Sequence, residues 1–325
     1  MPTYAGVDLG ATNVRVVVGD ESGRVLATRR AETPQGPSGI AVTEAVLTVL
    51  RGACEDAGVD PGTVRAVGVG SIGPLDLAEG VVDNPANLPD SIDRIPLTGP
   101  VGELVDSDRI FLHNDTTAGV IGERFYSDRN PDDMIYLTIS SGIGAGVAMD
   151  GTVVRGWDGN AGEVGHTIVD PNGFMTCGCG LDGHWEAYCS GNNIYRYARR
   201  LHGEDPVETS MPLEAPDFST PDVFEAADEG DEFAEHVLNQ VVRWNTVAIA
   251  NMVHSFAPLV IYVGGAVALN NPEWILDPVK ERLDDVVFSN VPDIQLTTLG
   301  DDVVVKGALA SALTEGTGDP ARAPG

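Results

Sequence analysis

TYAGVDLGATNVRVVVG, residues 3–19, sets two apolar runs on either side of Gly10-Ala11-Thr12-Asn13. Gly10 and Asn13 are turn formers, so the spacing predicts a β-hairpin. Asp8 stands at the end of the first run, and the small residues after it let backbone N–H groups approach a phosphate closely. Thr12 adds a hydroxyl donor. Asp8 suits the hydration shell of a Mg2+ ion, which keeps several waters and takes few protein carboxylates. This is not the Walker loop, since no G-K-[ST] follows and no lysine is near. A second strand–glycine–strand arrangement lies at residues 134–139, Ser141-Gly142-Ile143-Gly144 and residues 146–149. Taken singly, each turn is what any β-rich lobe uses to join a hairpin. As a pair they point to two α/β lobes that hold a phosphate between backbone-amide cradles in a shared cleft.

Outward from the hairpin, Ile40 to Ala57 has apolar residues at helical spacing and stops at Gly58. Val64 to Val69 reads as a strand before the Ser71-Ile72-Gly73-Pro74 turn. Ile110 to Leu112 reads as a buried strand running into His113-Asn114-Asp115, with a helix from Thr116 to Phe125. Residues 203–219 are acidic and aperiodic, a loop, and Thr220-Pro221-Asp222 opens helices that fill 222–257. Leu259 to Val263 is a strand ending in Gly264-Gly265, and Gly307 to Leu313 is the last helix.

The 325 residues exceed the usual single-domain length, and 42% apolar content allows a large core. No apolar run approaches the ~20 residues of a membrane span. MPTYAGVDLG has no basic segment before an apolar stretch, so a soluble, cytoplasmic protein without a secretory signal is expected. Nineteen basic residues stand against 49 acidic ones, a formal charge of −30 that repels nucleic acid and anionic membranes. Only two lysines occur, Lys280 and Lys306, and the acids are spread from end to end. An ordinary acidic surface accounts for the charge. So does a halophilic protein whose self-repulsion is screened within about 3 Å at 1 M salt; the even spread and the scarcity of lysine favour this second account.

Three places carry chemistry. Asn114-Asp115 follows a strand and precedes a helix; Asp115 there either takes a proton from a hydroxyl nucleophile or caps the helix. Glu163, His166 and Glu186 flank a cluster of Cys177, Cys179 and His184. His166, Cys177, Cys179 and His184 make a Cys2His2 set for tetrahedral Zn2+. The single residue between the cysteines is tighter than finger spacing; a disulfide or two satisfied core histidines are the competing readings. Such a zinc is structural, because protein fills all four positions. It would fix a loop presenting carboxylates that each accept hydrogen bonds from two neighbouring sugar hydroxyls. Cys54 and Cys189 sit in apolar helical contexts and read as core.

These motifs, in order, resemble the ROK family (repressors, open reading frames and sugar kinases), most closely its bacterial and archaeal glucokinases. The resemblance runs from about Tyr4 to Leu313. It covers D-L-G-A-T-N at 8–13, G-S-I-G-P-L-D at 70–76, N-D at 114–115, S-G-I-G-A-G at 141–146, G-N-A-G-E-V-G-H at 159–166, C-G-C-G…E at 177–186 and V-G-G-A at 263–266. It implies an α/β actin-like ATPase (ribonuclease H-like) fold, two lobes around a central cleft. A smaller lobe over 1–110 would be completed by the helix near 307–314, with a larger lobe over 111–306 and a flexible tail over 315–325. By the same resemblance Asp115 is the catalytic base, and Asn87, Asn114, Glu163, His166 and Glu186 bind the sugar. Asp8, Gly10, Ala11, Thr12, Asn13, Ser141 and Gly142 form the phosphate turns; Gly264 and Gly265 lie on the adenosine side. His166, Cys177 and Cys179 map to zinc ligands. Three positions depart from the family pattern: His184 replaces a third zinc cysteine, Ser140-Ser141 replaces Gly-Thr, and Asn13 replaces a frequent lysine.

The implied reaction is transfer of the γ-phosphoryl group of ATP, with Mg2+, to the 6-hydroxyl of a hexose, glucose first. Fructose, mannose and N-acetylhexosamines are the alternatives, and family habit implies a homodimer or homotetramer. A sugar-sensing ROK regulator without catalysis is the competing class. The first phosphate turn at Asp8 leaves no room before it for a DNA-binding segment, and the negative charge argues the same way.

Overall fold

The elements follow the hydrophobic periodicity. In chain order they are β1 (Thr3–Leu9), β2 (Asn13–Asp20), β3 (Val25–Glu32), α1 (Gly39–Asp56), β4 (Val64–Ser71), β5 (Leu75–Asp76), β6 (Val81–Asp83), β7 (Arg94–Pro96) and α2 (Thr98–Val105). Then come β8 (Ile110–Asn114), α3 (Asp115–Tyr126), β9 (Met134–Ile139), β10 (Ile143–Met149), β11 (Thr152–Val153), α4 (Glu186–Cys189), α5 (Ile194–Glu204), α6 (Thr220–Asp228) and α7 (Glu232–Phe256). The last are β12 (Val260–Gly264), α8 (Ala266–Asn270), α9 (Pro272–Ile275), α10 (Asp277–Val286), β13 (Asp293–Leu296) and α11 (Val303–Thr314). The computed structural model describes residues 2–85 and 87–324. Among the described residues, no helix is long and apolar enough to cross a membrane.

Three sheets result: β3-β2-β1-β4-β8, β11-β10-β9-β12-β13, and a small β5-β6-β7 meander. The chain falls into two compact units. One holds the chain up to Tyr136, Gly146–Gly162 and the chain from Thr297 onward; the other holds Leu137–Ala145 and Glu163–Leu296. The boundary expected at 110 falls just before β8. That strand pairs in parallel with β4, and α3 after it packs on α11, so both stay in the first unit.

In the first unit, β1 is buried along its whole length because helices cover both faces. Ala5, Val7 and Leu9 join a cluster with Val42, Val46 and Leu50 of α1. Tyr4, one residue out of phase, joins Val305, Leu309 and Leu313 of α11. The approach of α11 is close enough to require glycine. A Cβ on Gly68 would stand 1.9 Å from the Ala308 carbonyl oxygen, and one on Gly307 would stand 1.8 Å from that of Ala118 in α3. Residues 315–318, read from the sequence as tail, are tied back to this unit. Arg155 donates to the Gly316 carbonyl, Arg124 to that of Thr317, and Arg109 pairs with Glu315.

His113, at the end of β8, is buried, and its Nε2 lies 2.7 Å from Ser311 Oγ on α11. Burial first, and the Arg155 guanidinium second, push its pKa down to about 3. The imidazole is therefore neutral in the folded protein. Below about pH 6.5 the unfolded chain takes up a proton that the folded one refuses, so stability falls by about 1.4 kcal/mol per pH unit. The loss continues until the pH nears the folded value. Between pH 7 and pH 5 the wild-type protein should lose about 2 kcal/mol more than a His113→Asn variant in urea unfolding. Parallel losses in the two proteins would mean that His113 takes up its proton without unfolding.

Candidate active site and metal centre

In the first unit three parallel strands bring the candidate groups to one sheet edge. Leu9 of β1 is level with Ser71 of β4, and Ser71 with Asn114 of β8. The Gly10–Asn13 turn and the start of α3 therefore leave the sheet at the same level with β4 between them, at the carboxyl ends of parallel strands where open α/β sheets bind ligands.

The turn has a defined polarity. Gly10 N–H donates to the Asn13 carbonyl at 2.9 Å. Thr33 Oγ1 donates to the Gly10 carbonyl at 2.7 Å, Gln35 Nε2 to that of Ala11 at 3.0 Å, and Thr33 N–H to that of Thr12 at 2.9 Å. The backbone N–H groups of Ala11 and Thr12 find no acceptor among the described residues. Carbonyls tied back and amides left open is the polarity an anion needs. Asp8 is buried and bound by Arg15, with Nη2 at 2.7 Å and Nε at 2.9 Å from Oδ2. Burial raises its pKa, against the lowering effect of Arg15. Asn13 Oδ1 accepts a 2.9 Å hydrogen bond from Arg30 Nε on β3.

At the start of α3 the capping question resolves. Asn114 is the N-cap: its Oδ1 accepts from Thr117 N–H at 2.8 Å and from Thr116 Oγ1 at 3.2 Å. Asp115 is the first helical residue, exposed, and its Oδ1 accepts from Thr116 N–H at 2.8 Å. Asn87 is exposed on the loop between Pro85 and Pro89.

The second unit holds the other group. His166, Cys177, Cys179 and His184 come together with all four ligand atoms within 4.8 Å of one another. Both histidines present Nδ1, 3.3 Å apart; Cys177 Sγ lies 3.7 Å from His166 Nδ1, and Cys179 Sγ 3.3 Å from His184 Nδ1. A tetrahedron with zinc–nitrogen bonds of about 2.0–2.1 Å and zinc–sulfur bonds of about 2.3 Å has N–N edges of about 3.3 Å and N–S edges of about 3.6 Å. The donor set suits that ion in type, and these three separations lie within about 0.3 Å of those edges. All four cysteines are free thiols, so no disulfide competes; Cys54 and Cys189 are buried in helices α1 and α4. The knuckle is shaped locally by Cys177 N–H donating to Leu181 and Gly180 N–H to Cys177. Gly183 (φ +75°) lies where a Cβ would meet the Asp170 carbonyl at 2.1 Å.

Two carboxylates surround this cluster. Glu163 Oε2 is 3.9 Å from His166 Nε2, the ring nitrogen turned away from the other three ligands. Glu186 bridges two places: Oε1 lies 3.9 Å from Cys177 Sγ, and Oε2 accepts from Ile143 N–H at 2.9 Å, just past the second glycine turn. That turn repeats the polarity of the first. The Ser140, Ser141 and Gly142 carbonyls accept from Gly191, Asn192 and Ser140 N–H groups, while the Ser141 and Gly142 amides find no acceptor among the described residues. Gly264 and Gly265 close β12, and Gly265 (φ +89°) sits 2.4 Å, at its Cβ position, from the Ile139 carbonyl.

Arg15, Arg30, Thr33 and Gln35 escape a reading of motifs. All but Arg15 come from β3 or the segment just after it. That strand is exposed or half-buried along its whole length, with no apolar alternation to announce it. Their only signal is the β3 register, which sets Arg30 opposite Arg15.

Over residues 4–315 the chain matches the model of the ROK family. It is 35% identical over 312 residues to a glucokinase of Pyrobaculum calidifontis, covering 96% of this chain and 95% of that one. Among solved structures, a ROK hexokinase from Thermus thermophilus superposes with a TM-score of 0.82 at 32% identity, over 96% of this chain and 98% of that one. A ROK family glucokinase from Streptomyces griseus, solved in complex with glucose and AMPPNP, gives a TM-score of 0.74 at 31% identity over 95% and 99%.

Proposed function

The chain belongs to the ROK family, with the actin-like ATPase fold of its sugar kinases, and on that premise we propose that it is an ATP-dependent kinase that phosphorylates the 6-hydroxyl of glucose. The observation that carries the reading is the division of labour at the start of α3. Asn114 is the N-cap, and Asp115, the first helical residue, is exposed at the carboxyl end of β8, level with the end of β1 that leads into the phosphate turn. Full-length likeness to glucokinases supports the substrate class.

In this reading Asp115 orients the sugar hydroxyl in line and accepts its proton late, because phosphoryl-transfer transition states are loose and depend on positioning. Asn114, Glu163, His166, Glu186 and Asn87 hold the remaining hydroxyls. The open amides of Ala11, Thr12, Ser141 and Gly142 receive phosphate oxygens and the charge that develops on them. Gly264 and Gly265 leave room on the adenosine side. Mg2+ bound with ATP would neutralise the phosphate charge, and Asp8 would accept hydrogen bonds from its water shell. His166, Cys177, Cys179 and His184 would hold Zn2+, which supplies no open coordination position and fixes the loop that presents Glu163, His166 and Glu186. The charge of −30 and its even spread fit a cytoplasm rich in salt.

The wild-type protein assayed with ATP in molar KCl should give its highest kcat/KM with glucose among glucose, mannose, fructose and N-acetylhexosamines. Asp115→Asn should lower kcat by about 10^3-fold with the glucose KM little changed. Turnover surviving within about tenfold would remove Asp115 from the role of base. The purified chain should carry one zinc ion. Cys179→Ser should release it and lower the melting temperature, whereas His184→Cys should retain it; equal metal content in all three proteins would end the zinc assignment. Melting temperature should rise with KCl into the molar range, and a maximum in dilute buffer would contradict the salt-adapted reading.

A further inference from the structure

The β2–β3 register places two arginines of one charge directly opposite each other, Arg15 against Arg30, with Asp8 opposite Arg15 on its other side. Like charges facing across a ladder repel unless something neutralises them. Arg15 is neutralised: Asp8 lies 2.7 Å from one of its nitrogens and Asp302 3.7 Å from another. Lys306, one of two lysines in the chain, lies 4.0 Å from Asp302. Among the described residues Arg30 has no carboxylate partner, and its one side-chain hydrogen bond runs from Nε to Asn13 Oδ1, in the phosphate turn itself; the side chain is exposed. Arg15 and Lys306 share Asp8 and Asp302, Glu32 stands opposite Asn13 in the register, and Arg30 is held at the turn by a neutral amide and not by an ion pair.

We infer that Arg30, held by Asn13, is the guanidinium that binds the terminal phosphate oxygens of the nucleotide, alongside the open amides of Ala11 and Thr12. The inference rests on the kinase reading above. A neutral Asn13 cannot attract phosphate by charge, but its carboxamide oxygen can orient an arginine. Engaging Nε leaves the two terminal amino groups for a fork-like pairing with phosphate oxygens. Exposed and held by a neutral amide, the cation opposite Arg15 is available to an arriving phosphate. Asn13 acts as a positioning residue and Arg30 as the group that touches the donor.

The test pairs steady-state kinetics with calorimetric titration of ATP and of inorganic tripolyphosphate into the protein, both in moderate salt. Arg30→Gln should raise the ATP KM about tenfold and weaken tripolyphosphate binding by a similar factor, with the glucose KM unchanged. Arg30→Lys should recover part of the loss. Asn13→Ala should also raise the ATP KM, yet cost nothing further when added to Arg30→Gln. Asn13→Lys in the Arg30→Gln background should restore affinity by returning the charge. Arg29→Gln is the control: Arg29 pairs with Asp56 at 2.6 Å, so its loss should leave the ATP KM where it was. An active wild type whose ATP KM moves less than twofold in Arg30→Gln would overturn the inference while the kinase reading stands. A wild type that phosphorylates no hexose would overturn the kinase reading. In that event tripolyphosphate affinity decides Arg30: a drop in Arg30→Gln keeps it as an anion site, and no difference removes it.

Discussion

Backbone contact between α11 and the first sheet sets where the reactive groups of the first unit stand. With no side chain at Gly6, Gly68 or Gly307, the helix lies directly on β1, β4 and α3. Its burial on β1 and β4 fixes the level at which those strands end. Its crossing with α3 fixes the first turn of that helix, where Asp115 begins. Because interiors are close-packed and respond to a single methyl group, the position of Asp115 relative to the Gly10–Asn13 turn is specified by packing several residues away. The buried His113–Ser311 contact adds a polar pin at the same crossing. A shift of α11 by one side chain would move Asp115 and the Gly10–Asn13 turn together.

The two glycine turns solve one problem by the same physical means in different units. A backbone that offers N–H groups to an anion must dispose of its own carbonyls, which repel the anion and are costly when left without a donor. In the first turn Thr33 and Gln35 do this from beyond β3. In the second, the amides of Gly191 and Asn192 do it. Glu186 then ties the second turn to the Cys–His cluster through Ile143. Through that one carboxylate the Cys–His cluster reaches Ile143, the residue that follows the second glycine turn.

Much of this was legible from local pattern. The first hairpin, α1 with its stop at Gly58, the β8–α3 junction and the glycine pair after β12 all appear where periodicity and turn chemistry put them. The Cys2His2 set was legible because its members lie close in sequence. Other features have no local signal. β3 carries Arg29 and Arg30 on an exposed edge and is recognised only through its pairing with β2. Asn114 and Asp115 both suit a helix start, and only the Thr117 hydrogen bond shows which one caps it. The first unit's extension through α3 depends on β4–β8 pairing and on α11, contacts across long stretches of chain that no window of sequence contains.

The excess of acid and the handling of phosphate are compatible because the two act at different ranges. In molar salt the Debye length is about 3 Å, so carboxylates scattered over the surface lose their hold on an approaching nucleotide. Groups in direct contact are screened far less, since no ion fits between a guanidinium and the oxygen it touches. In such salt long-range attraction would be of little use, and recognition would have to be built from donors at hydrogen-bond distance. Open amides on two turns and an arginine held in place by a neutral asparagine meet that requirement. A flexible lysine, whose benefit is a point charge felt at a distance, meets it less well. In a salt-rich cytoplasm, the scarcity of lysine in the chain and the placement of Arg30 beside the turn would follow from one constraint, the short reach of electrostatics.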